Sequence, residues 1–263
     1  MPVTDLFARR ASLSRSVRLL REFRYEQPDP ARFYGALADD TAALVCDLWW
    51  AQHRVSPTGR TLLDVGGGPG YFATAFTRAG FTYIGVEPDP AEMHDGPGLN
   101  DGTTYVRASG TALPFDDDSV DVCLSSNVAE HVAEPWRLGA EMLRVTKPGG
   151  LVVLSYTVWL GPFGGHETGR WHYLGGRFAA RRYTRKHGRP PKNNYGSSLF
   201  AVSAADGIDF GEGTGALVAA FPRYHPRWAW WMVRVPVLRE FLVSNVVLVL
   251  RPPIATGSTF EGS

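Results

Sequence analysis

The sequence predicts an α/β fold built on a mostly parallel sheet, and three observations carry this prediction. Apolar runs of strand length alternate with helical segments from residue 61 onward. One such run, Leu62 to Val65, leads into the stretch GGGPG, a glycine-rich turn of the kind that joins a strand to a helix. The chain has 263 residues, 44% of them hydrophobic, which is enough to bury one substantial core. We therefore expect a single α/β domain with appended segments.

The chain before the first predicted strand is expected to be helical. Helices are predicted over residues 13–23 and 31–51, with a break at the intervening sequence EQPDP. Arginines recur at every third residue of the first helix, and this spacing predicts a solvated basic face. They are Arg15, Arg18, Arg21 and Arg24.

Seven strands are predicted from the apolar runs. The first five are expected at residues 61–65, 83–87, 104–108, 120–125 and 151–156, and the last two at residues 216–221 and 245–250. In open α/β sheets, ligands bind outside the carboxyl ends of the parallel strands. Four polar residues stand at or near these ends, so we expect them to share one crevice. They are Asp64, Glu87, Ser109 and Ser126.

The spacing of the glycines distinguishes between two classes of cofactor. A dinucleotide fingerprint that begins at Gly66 and Gly68 needs a third glycine at position 71, where this chain has Tyr71. Asp64, near the end of the strand, suits a ligand with a positive amino group better than it suits a pyrophosphate. The pattern therefore argues against NAD.

Five segments resemble, in order, the landmarks of the class I S-adenosylmethionine-dependent methyltransferases, in the small-molecule group to which the ubiquinone and menaquinone methyltransferases belong. These segments are LLDVGGGPGYF, YIGVEPD, ASGTALPF, VDVCLSSNVAEHV and LRVTKPGGLVVLSY. The resemblance implies a Rossmann-like, doubly wound sheet of seven strands in which the last strand is antiparallel. It also implies S-adenosylmethionine as the cofactor.

The resemblance divides the chain into four parts. Residues 1–60 would form a helical lid and residues 61–156 the cofactor-binding core. Residues 157–215 would be an insertion between the fifth and sixth strands, and residues 216–263 would complete the same domain and end in a tail.

The resemblance also assigns roles to cofactor residues. Glu87 is expected to hold the ribose hydroxyls, and Ser109 stands where an aspartate that binds adenine is common in the family. The expected cofactor-binding residues are Asp64, Gly66, Gly67, Gly68, Gly70, Tyr71, Glu87, Pro88, Ser109, Gly110, Thr111, Ser126 and Asn127.

The insertion is expected to bind the substrate, because long loops on a compact sheet tend to be functional. An alcohol that accepts a methyl group must lose its proton, and a positioned base typically accelerates such a step by about 10² to 10⁴-fold. His166, oriented by Glu167 or another acid, is the first candidate base, followed by His172 and His131. The alternative for each histidine is a structural role, hydrogen-bonded within a loop.

Further residues are expected to contact the substrate, while a metal ion is not expected. A site made of Glu130 and His131 alone suits a hard cation poorly, because such cations prefer several oxygen ligands. The expected substrate-binding residues are Tyr34, Trp159, Tyr173, Arg177 and Arg181.

The charge pattern points to an anionic partner. Residues 177–192 contain seven basic residues and no acidic one, although the chain as a whole is formally +1. Candidate partners are a phosphorylated or lipid-linked sugar and a phospholipid headgroup, and the alternative is a solvated basic helix. Trp228, Trp230 and Trp231 lie among arginines, a mixture that suits a membrane interface, a substrate wall, a dimer contact or the core.

Three observations bear on location and partners. The N-terminus lacks an apolar signal segment, and Cys46 and Cys123 fit reduced core thiols, so we expect a cytoplasmic protein with peripheral contact at the inner membrane face. Nucleic acid is not expected as the substrate, because SSNV follows the fourth strand in place of an Asn-Pro-Pro-Tyr type signature. The sequence leaves the oligomeric state open.

Three functions remain open at this point. The leading one is O-methylation of a small or lipid-linked acceptor, for which a glycan is one candidate. The second is C-methylation of a quinone-like lipid, which the resemblance allows. The third is a protein that binds the cofactor without turning it over.

Overall fold

The computed structural model describes residues 3–26, 28–89 and 103–253, and it is built around one seven-stranded sheet. The strand order is β3-β2-β1-β4-β5-β7-β6. The strands are β1 (Thr61–Val65), β2 (Thr82–Val86), β3 (Thr104–Val106), β4 (Val120–Ser126), β5 (Thr146–Thr157), β6 (Leu217–Pro222) and β7 (Asn245–Leu250). Strands β1 to β5 pair in parallel, and β7 is antiparallel to both β5 and β6. The predicted fold class is confirmed.

Helices cover both faces of this sheet. The α-helices are α1 (Asp5–Arg10), α2 (Leu13–Glu22), α3 (Pro30–His53), α4 (Ala73–Arg78), α5 (Pro135–Val145), α6 (Gly176–His187), α7 (Ala204–Gly213) and α8 (Leu238–Leu242). Short 3-10 helices occur at Phe23–Tyr25, Ala129–His131, His166–Leu174 and Arg227–Arg234. No helix among the described residues combines the length and the apolar composition that a bilayer span needs.

Alternating side chains along the strands supply two apolar cores, one on each face of the sheet. In β4, Val122 and Leu124 join the core that contains α3, whereas Cys123 joins the core that contains α5. All three side chains are fully buried, which is why the central strands read as continuous apolar runs.

The sheet differs from the prediction most at the start of β5. The strand begins at Thr146, which pairs with Val120 of β4. The next paired residue of β5 is Leu151, which pairs with Val122, so the register between the two strands shifts here. The sequence Lys-Pro-Gly-Gly, which precedes the predicted strand at residues 151–156, is therefore an irregularity within the observed strand. A Cβ at Gly150 would lie 2.8 Å from the Asp121 carbonyl oxygen, so a larger residue does not fit there.

The N-terminal helices are held to the sheet by buried charge. Arg15 on α2 donates to both carboxylate oxygens of Asp40 on α3, at 2.7 and 2.6 Å, and its Nη1 donates to the carbonyl of Arg223 after β6. Arg15 is buried, so the expectation that it belongs to a solvated basic face was wrong. The physical reason is Asp40, whose carboxylate neutralises the buried guanidinium.

The domain boundaries remain a prediction. Helices α1 to α3 fall within residues 1–60, and β6 and β7 fall within residues 216–263. The end of the predicted C-terminal tail, residues 254–263, lies outside the described residues.

Replacing Arg15 should destabilise the protein strongly. Arg15→Met leaves the Asp40 carboxylate buried without its cation, and breaking a buried pair in this way typically costs about 3 to 5 kcal/mol. Urea denaturation followed by circular dichroism measures this loss in the free energy of unfolding. Arg78→Met is the matched control because it breaks an exposed pair with Asp39, which is typically worth up to about 1 kcal/mol. Equal losses in the free energy of unfolding of the two variants would contradict the conclusion that the buried Arg15–Asp40 pair holds the N-terminal helices to the sheet.

Candidate active site

The glycine-rich turn after β1 is shaped by contacts on one side and is open on the other. Gly66 has φ +79°, and a Cβ there would collide with the Val128 side chain. At Gly68, with φ +49°, a Cβ would meet nothing within 4 Å. The backbone at Gly68 therefore faces open space in which a ligand can approach it closely.

Asp64 lies beneath this turn as a buried carboxylate. Its Oδ2 accepts a hydrogen bond of 2.7 Å from the Tyr83 hydroxyl on β2. Burial raises the pKa of Asp64 to about 7, although the Tyr83 hydrogen bond opposes the shift. No Lys or Arg in the described part of the chain forms an ion pair with Asp64.

Glu87 connects the end of β2 to the glycine-rich turn. Its Oε2 accepts from the Gly68 amide at 3.2 Å, and its Oε1 accepts from the Asp89 amide at 3.1 Å. These two bonds fix the orientation of the carboxylate at the end of β2, beside the glycine-rich turn. The adjacent Pro88 is exposed.

The turn after β3 forms the next wall of the crevice. The Ser109 hydroxyl lies 2.9 Å from that of Thr111 and accepts from the Thr111 amide, so it shapes the turn. A Cβ at Gly110 would press against Val65 and Leu138. Packing therefore requires glycine at this position.

Aromatic rings cover the start of the crevice. Tyr71 follows the glycine-rich turn and stacks on Tyr34 of α3, with ring centroids 4.9 Å apart and planes inclined by 13°. Both residues are half-buried. The structure thus brings the N-terminal helices against the predicted cofactor turn.

Polar groups are concentrated at the end of β4. The buried Arg223 donates to the hydroxyls of Ser126 and Ser155, at 2.7 and 3.0 Å, and also to that of Thr41. Asn127 adopts φ +58°, and its Oδ1 accepts from the Asn245 side chain at 2.7 Å. Sequence reasoning missed Arg223, because it lies in a segment that reads as ordinary strand end.

A carboxylate and two imidazoles meet just beyond Asn127. One ligand atom from each of Glu130, His131 and His166 lies within 4.8 Å of the other two. Glu130 is buried, and its Oε1 accepts from the Thr157 amide at 3.0 Å. Its Oε2 is buried without a hydrogen-bond partner among the described residues.

Backbone carbonyls fix the tautomers of both histidines. Nδ1 of His131 lies 2.7 Å from the carbonyl oxygen of Ser198, and Nδ1 of His166 lies 3.3 Å from that of Gly164. A carbonyl can only accept, so Nδ1 carries the hydrogen and Nε2 is the basic nitrogen of each neutral ring. Burial lowers the pKa of His166, while the nearby Glu130 carboxylate opposes the shift.

The other two candidates for acid–base roles, Glu167 and His172, are not members of this cluster. The exposed Glu167 accepts from the Asn193 side chain at 3.0 Å. Glu130, rather than Glu167, is the acid that contributes to the cluster around His166. His172 is buried, its Nδ1 lies 2.7 Å from the Gly169 carbonyl, and its ring packs against Trp159.

The predicted substrate residues of the insertion fall into two groups. Trp159 is half-buried and packs between the rings of His172 and Tyr195. Tyr173, Arg177 and Arg181 are exposed at the surface. The structure therefore places only Trp159 of these four in the interior of the insertion.

The cluster also has a composition that suits a metal ion. The expectation of no metal counted two ligands, Glu130 and His131, and the structure adds His166 as a third. Two imidazoles and a carboxylate are typical ligands of transition metals rather than of Mg²⁺ or Ca²⁺. The assumption that Glu130 and His131 are the only two ligands does not hold. The absence of a metal ion at this cluster remains a prediction.

Known proteins resemble this chain in sequence and in fold. A methyltransferase-domain family model matches residues 63–154. An uncharacterized methyltransferase from Mycobacterium sp. (strain KMS) is 75% identical over 252 residues, which are 96% of this chain and 100% of that protein. Another, from Mycobacterium tuberculosis (strain ATCC 25618 / H37Rv), is 74% identical over 254 residues, with the same coverage of 96% and 100%.

Solved structures share the fold at low sequence identity. An S-adenosylmethionine-dependent methyltransferase from Mesorhizobium loti has a TM-score of 0.53 at 20% identity, covering 75% of this chain and 93% of its own. A geranyl diphosphate methyltransferase in complex with S-adenosylmethionine has a TM-score of 0.52 at 17% identity, covering 84% and 90%. The close mycobacterial relatives show that the chain belongs to a family of methyltransferases. Its fold is that of the class I S-adenosylmethionine-dependent methyltransferases.

The crevice has features that fit S-adenosylmethionine. Asp64 is a buried carboxylate with no cationic partner in the described part of the chain, and it suits the ligand's amino group. Glu87 is already oriented toward the glycine-rich turn and suits the ribose hydroxyls. The open backbone at Gly68 leaves room between them.

The stability of the cofactor-free protein should depend on pH through Asp64. Its pKa is raised from 3.8 to about 7, so the neutral acid stabilises the fold fully below about pH 4, and this contribution is lost as the pH rises through about 7. Over that pH range, the free energy of unfolding of the wild-type protein should fall by up to roughly 4 kcal/mol more than that of Asp64→Asn. Denaturant titrations of both proteins at several pH values measure the difference, and parallel curves would refute it.

Proposed function

We propose that this protein transfers a methyl group from S-adenosylmethionine to a hydroxyl oxygen of a small or lipid-linked acceptor, with His166 as general base and Glu130 as its partner. The observation that carries this proposal is the unpartnered, buried Oε2 of Glu130 in a cluster with two histidines. A buried carboxylate oxygen without a hydrogen-bond partner is costly, and its place beside two imidazoles supports a functional role.

The location of the cluster supports a role at the acceptor. Glu130 and His131 follow Asn127 at the carboxyl end of β4, and His166 comes from the insertion after β5. The residues that fit the cofactor lie at the ends of β1, β2 and β3, along the same edge of the sheet. The cluster is therefore next to the cofactor residues in the order of the sheet.

The chemistry of methyl transfer explains the need for such a cluster. When bound, S-adenosylmethionine supplies an electrophilic methyl group on a positively charged sulfur. This chain must hold the acceptor oxygen in line with that methyl group and remove its proton. Nε2 of His166 can accept the proton, and the Glu130 carboxylate stabilises the resulting imidazolium.

The electrostatics of the cluster keep His166 in its basic form. Burial lowers the pKa of His166 from 6.5, so the ring is mainly neutral at neutral pH. The acid limb of the pH–rate profile should therefore lie below pH 6.5. The activated phenolic ring of a quinone-like lipid needs less help from a base to accept a methyl group on carbon. The cluster therefore favours O-methylation over C-methylation of such a lipid.

Cofactor binding should release a proton from Asp64. The positive amino group of S-adenosylmethionine favours the carboxylate form, so binding near pH 7 lowers a pKa that starts at about 7. Titration calorimetry in two buffers of different ionisation enthalpy should show proton release that Asp64→Asn lacks, together with weaker binding. Asp39→Asn, at an exposed carboxylate, is the control and should behave as wild type. Absence of binding of both S-adenosylmethionine and S-adenosylhomocysteine would overturn the cofactor assignment.

Loss of the base should separate catalysis from binding. His166→Ala should lower kcat by about 10² to 10⁴-fold while S-adenosylmethionine affinity is retained. Glu130→Gln should move the acid limb of the pH–rate profile to lower pH, because the carboxylate raises the pKa of His166. The matched control is Glu167→Gln: its exposed carboxylate bonds Asn193 and raises the pKa of His166 less than Glu130 does, so this variant should move the acid limb by less.

The assay can use two acceptor sources and can also identify the methylated atom. The protein is incubated with labelled S-adenosylmethionine and either a chloroform–methanol extract or an aqueous extract of a mycobacterium. The release of S-adenosylhomocysteine is then measured. The ¹³C shift of the new methyl group distinguishes O-methyl from C-methyl products. No release with either extract would support a protein that binds the cofactor without turnover.

A chelator distinguishes a base from a metal ligand at the same cluster. We expect turnover to survive dialysis against EDTA. Loss of turnover that added Zn²⁺ or Mn²⁺ restores would instead assign Glu130, His131 and His166 as ligands of a metal ion.

A further inference from the structure

Exposed apolar side chains form a surface on the insertion and on the connection between β6 and β7. We call it the aromatic surface and define it by Trp171, Leu174, Phe178, Trp228, Phe241 and Leu242. Leu174 is 65% exposed and Trp228 is 69% exposed. A large exposed apolar area of this kind marks a site of interaction with a protein or a membrane.

Ring contacts join separate chain segments into this surface. Phe178 on α6 packs against Trp171, with centroids 6.3 Å apart. Tyr173 stacks on Phe241 of α8 at 6.5 Å, which connects the insertion to the connection between β6 and β7. Trp228 lies in the 3-10 helix that packs against α8.

Positive charge surrounds these apolar groups. Residues 168–205 include eight basic and no acidic residues, and residues 226–239 include three basic and no acidic residues. The Arg182 guanidinium lies 3.9 Å from the centroid of the Trp171 ring. Arg177, Arg181 and Arg185 on α6 are exposed.

We propose that the aromatic surface docks this protein on an anionic lipid bilayer. Tryptophan and phenylalanine partition into the headgroup region, and arginines beside them attract the lipid phosphates. Exposed aliphatic groups such as Leu174 and Leu242 favour a bilayer over a nucleic acid, because a nucleic-acid surface uses cations and stacking rings rather than aliphatic side chains.

The docked orientation has a consequence for the acceptor. His172 contacts both the half-buried Trp159 and Tyr173, and Tyr173 stacks on Phe241 of the aromatic surface, so this surface adjoins the interior of the insertion. His166 begins the same 3-10 helix. Docking therefore turns the acceptor side of the proposed site toward the bilayer, where an amphiphilic acceptor would be concentrated. This consequence depends on the proposed function, whereas the binding itself does not.

Vesicle co-sedimentation of the full chain tests the docking. The probes are vesicles of phosphatidylcholine alone and of phosphatidylcholine mixed with phosphatidylglycerol, without any cofactor. Wild-type protein should sediment with the mixed vesicles and bind the neutral vesicles at least about tenfold more weakly. An apolar variant, with Leu174→Gln and Phe241→Gln, and a charge variant, with Arg177→Gln, Arg181→Gln and Arg185→Gln, should each weaken binding about tenfold or more.

Two matched controls use exposed residues elsewhere. Trp50→Gln removes an exposed apolar side chain at the end of α3, and the combination of Arg78→Gln with Arg137→Gln removes exposed charge from α4 and α5. Both controls should bind the mixed vesicles as wild type does. Circular dichroism and S-adenosylmethionine binding verify that every variant is folded.

Several outcomes would overturn the docking proposal. Wild-type protein could stay in solution with both kinds of vesicle, or the controls could lose binding as much as the surface variants do. A soluble oligonucleotide could displace the protein from the vesicles while the variant with Leu174→Gln and Phe241→Gln binds as wild type does. This result would assign the surface to a polyanion instead. Because these measurements need no turnover, their failure leaves the methyl-transfer proposal standing, and a failed turnover assay leaves the docking result standing.

Discussion

The hydrogen bond from the Tyr83 hydroxyl to the buried Asp64 carboxylate is the constraint on which the cofactor half of the crevice depends. It holds an acid beneath the glycine-rich turn, where burial favours the neutral form. Neighbouring strands β1 and β2 supply the two partners, so the parallel pairing of these strands sets the position of the acid. A cationic ligand group can reverse the effect of burial, which links ligand binding to the protonation of one side chain.

The proposed acceptor half of the site is assembled from more distant parts of the chain. Glu130 is held by the Thr157 amide at the end of β5, and its own carbonyl accepts from the Phe200 amide in the insertion. Arg223 joins the end of β4 to β5 and to α3 through hydroxyl groups. The insertion and the N-terminal helices are thus fixed to the same sheet edge. This arrangement gives the histidine cluster a rigid support, as a positioned base needs.

The sequence predicted the parts of the fold that local pattern controls. The bounds of β1 and β7 agree with the structure, because their apolar runs end in turn or polar residues that terminate the strand. Contacts between residues that are far apart in the chain could not be predicted, because they leave no pattern in the local sequence. Arg15 was predicted to be solvated because Asp40, its partner on the next helix, gives no signal in the spacing of the arginines. His166 was expected to be oriented by Glu167 or another acid, and the folded insertion brings it to Glu130, which only the path of the loop decides.

The most direct test of the central claim is a crystal structure with S-adenosylhomocysteine bound. We expect the amino group at Asp64, the ribose at Glu87, and the sulfur atom on the side of the crevice formed by Asn127 and the cluster of Glu130, His131 and His166. A sulfur atom on the opposite side, with the cluster closed off from the ligand, would contradict this expectation.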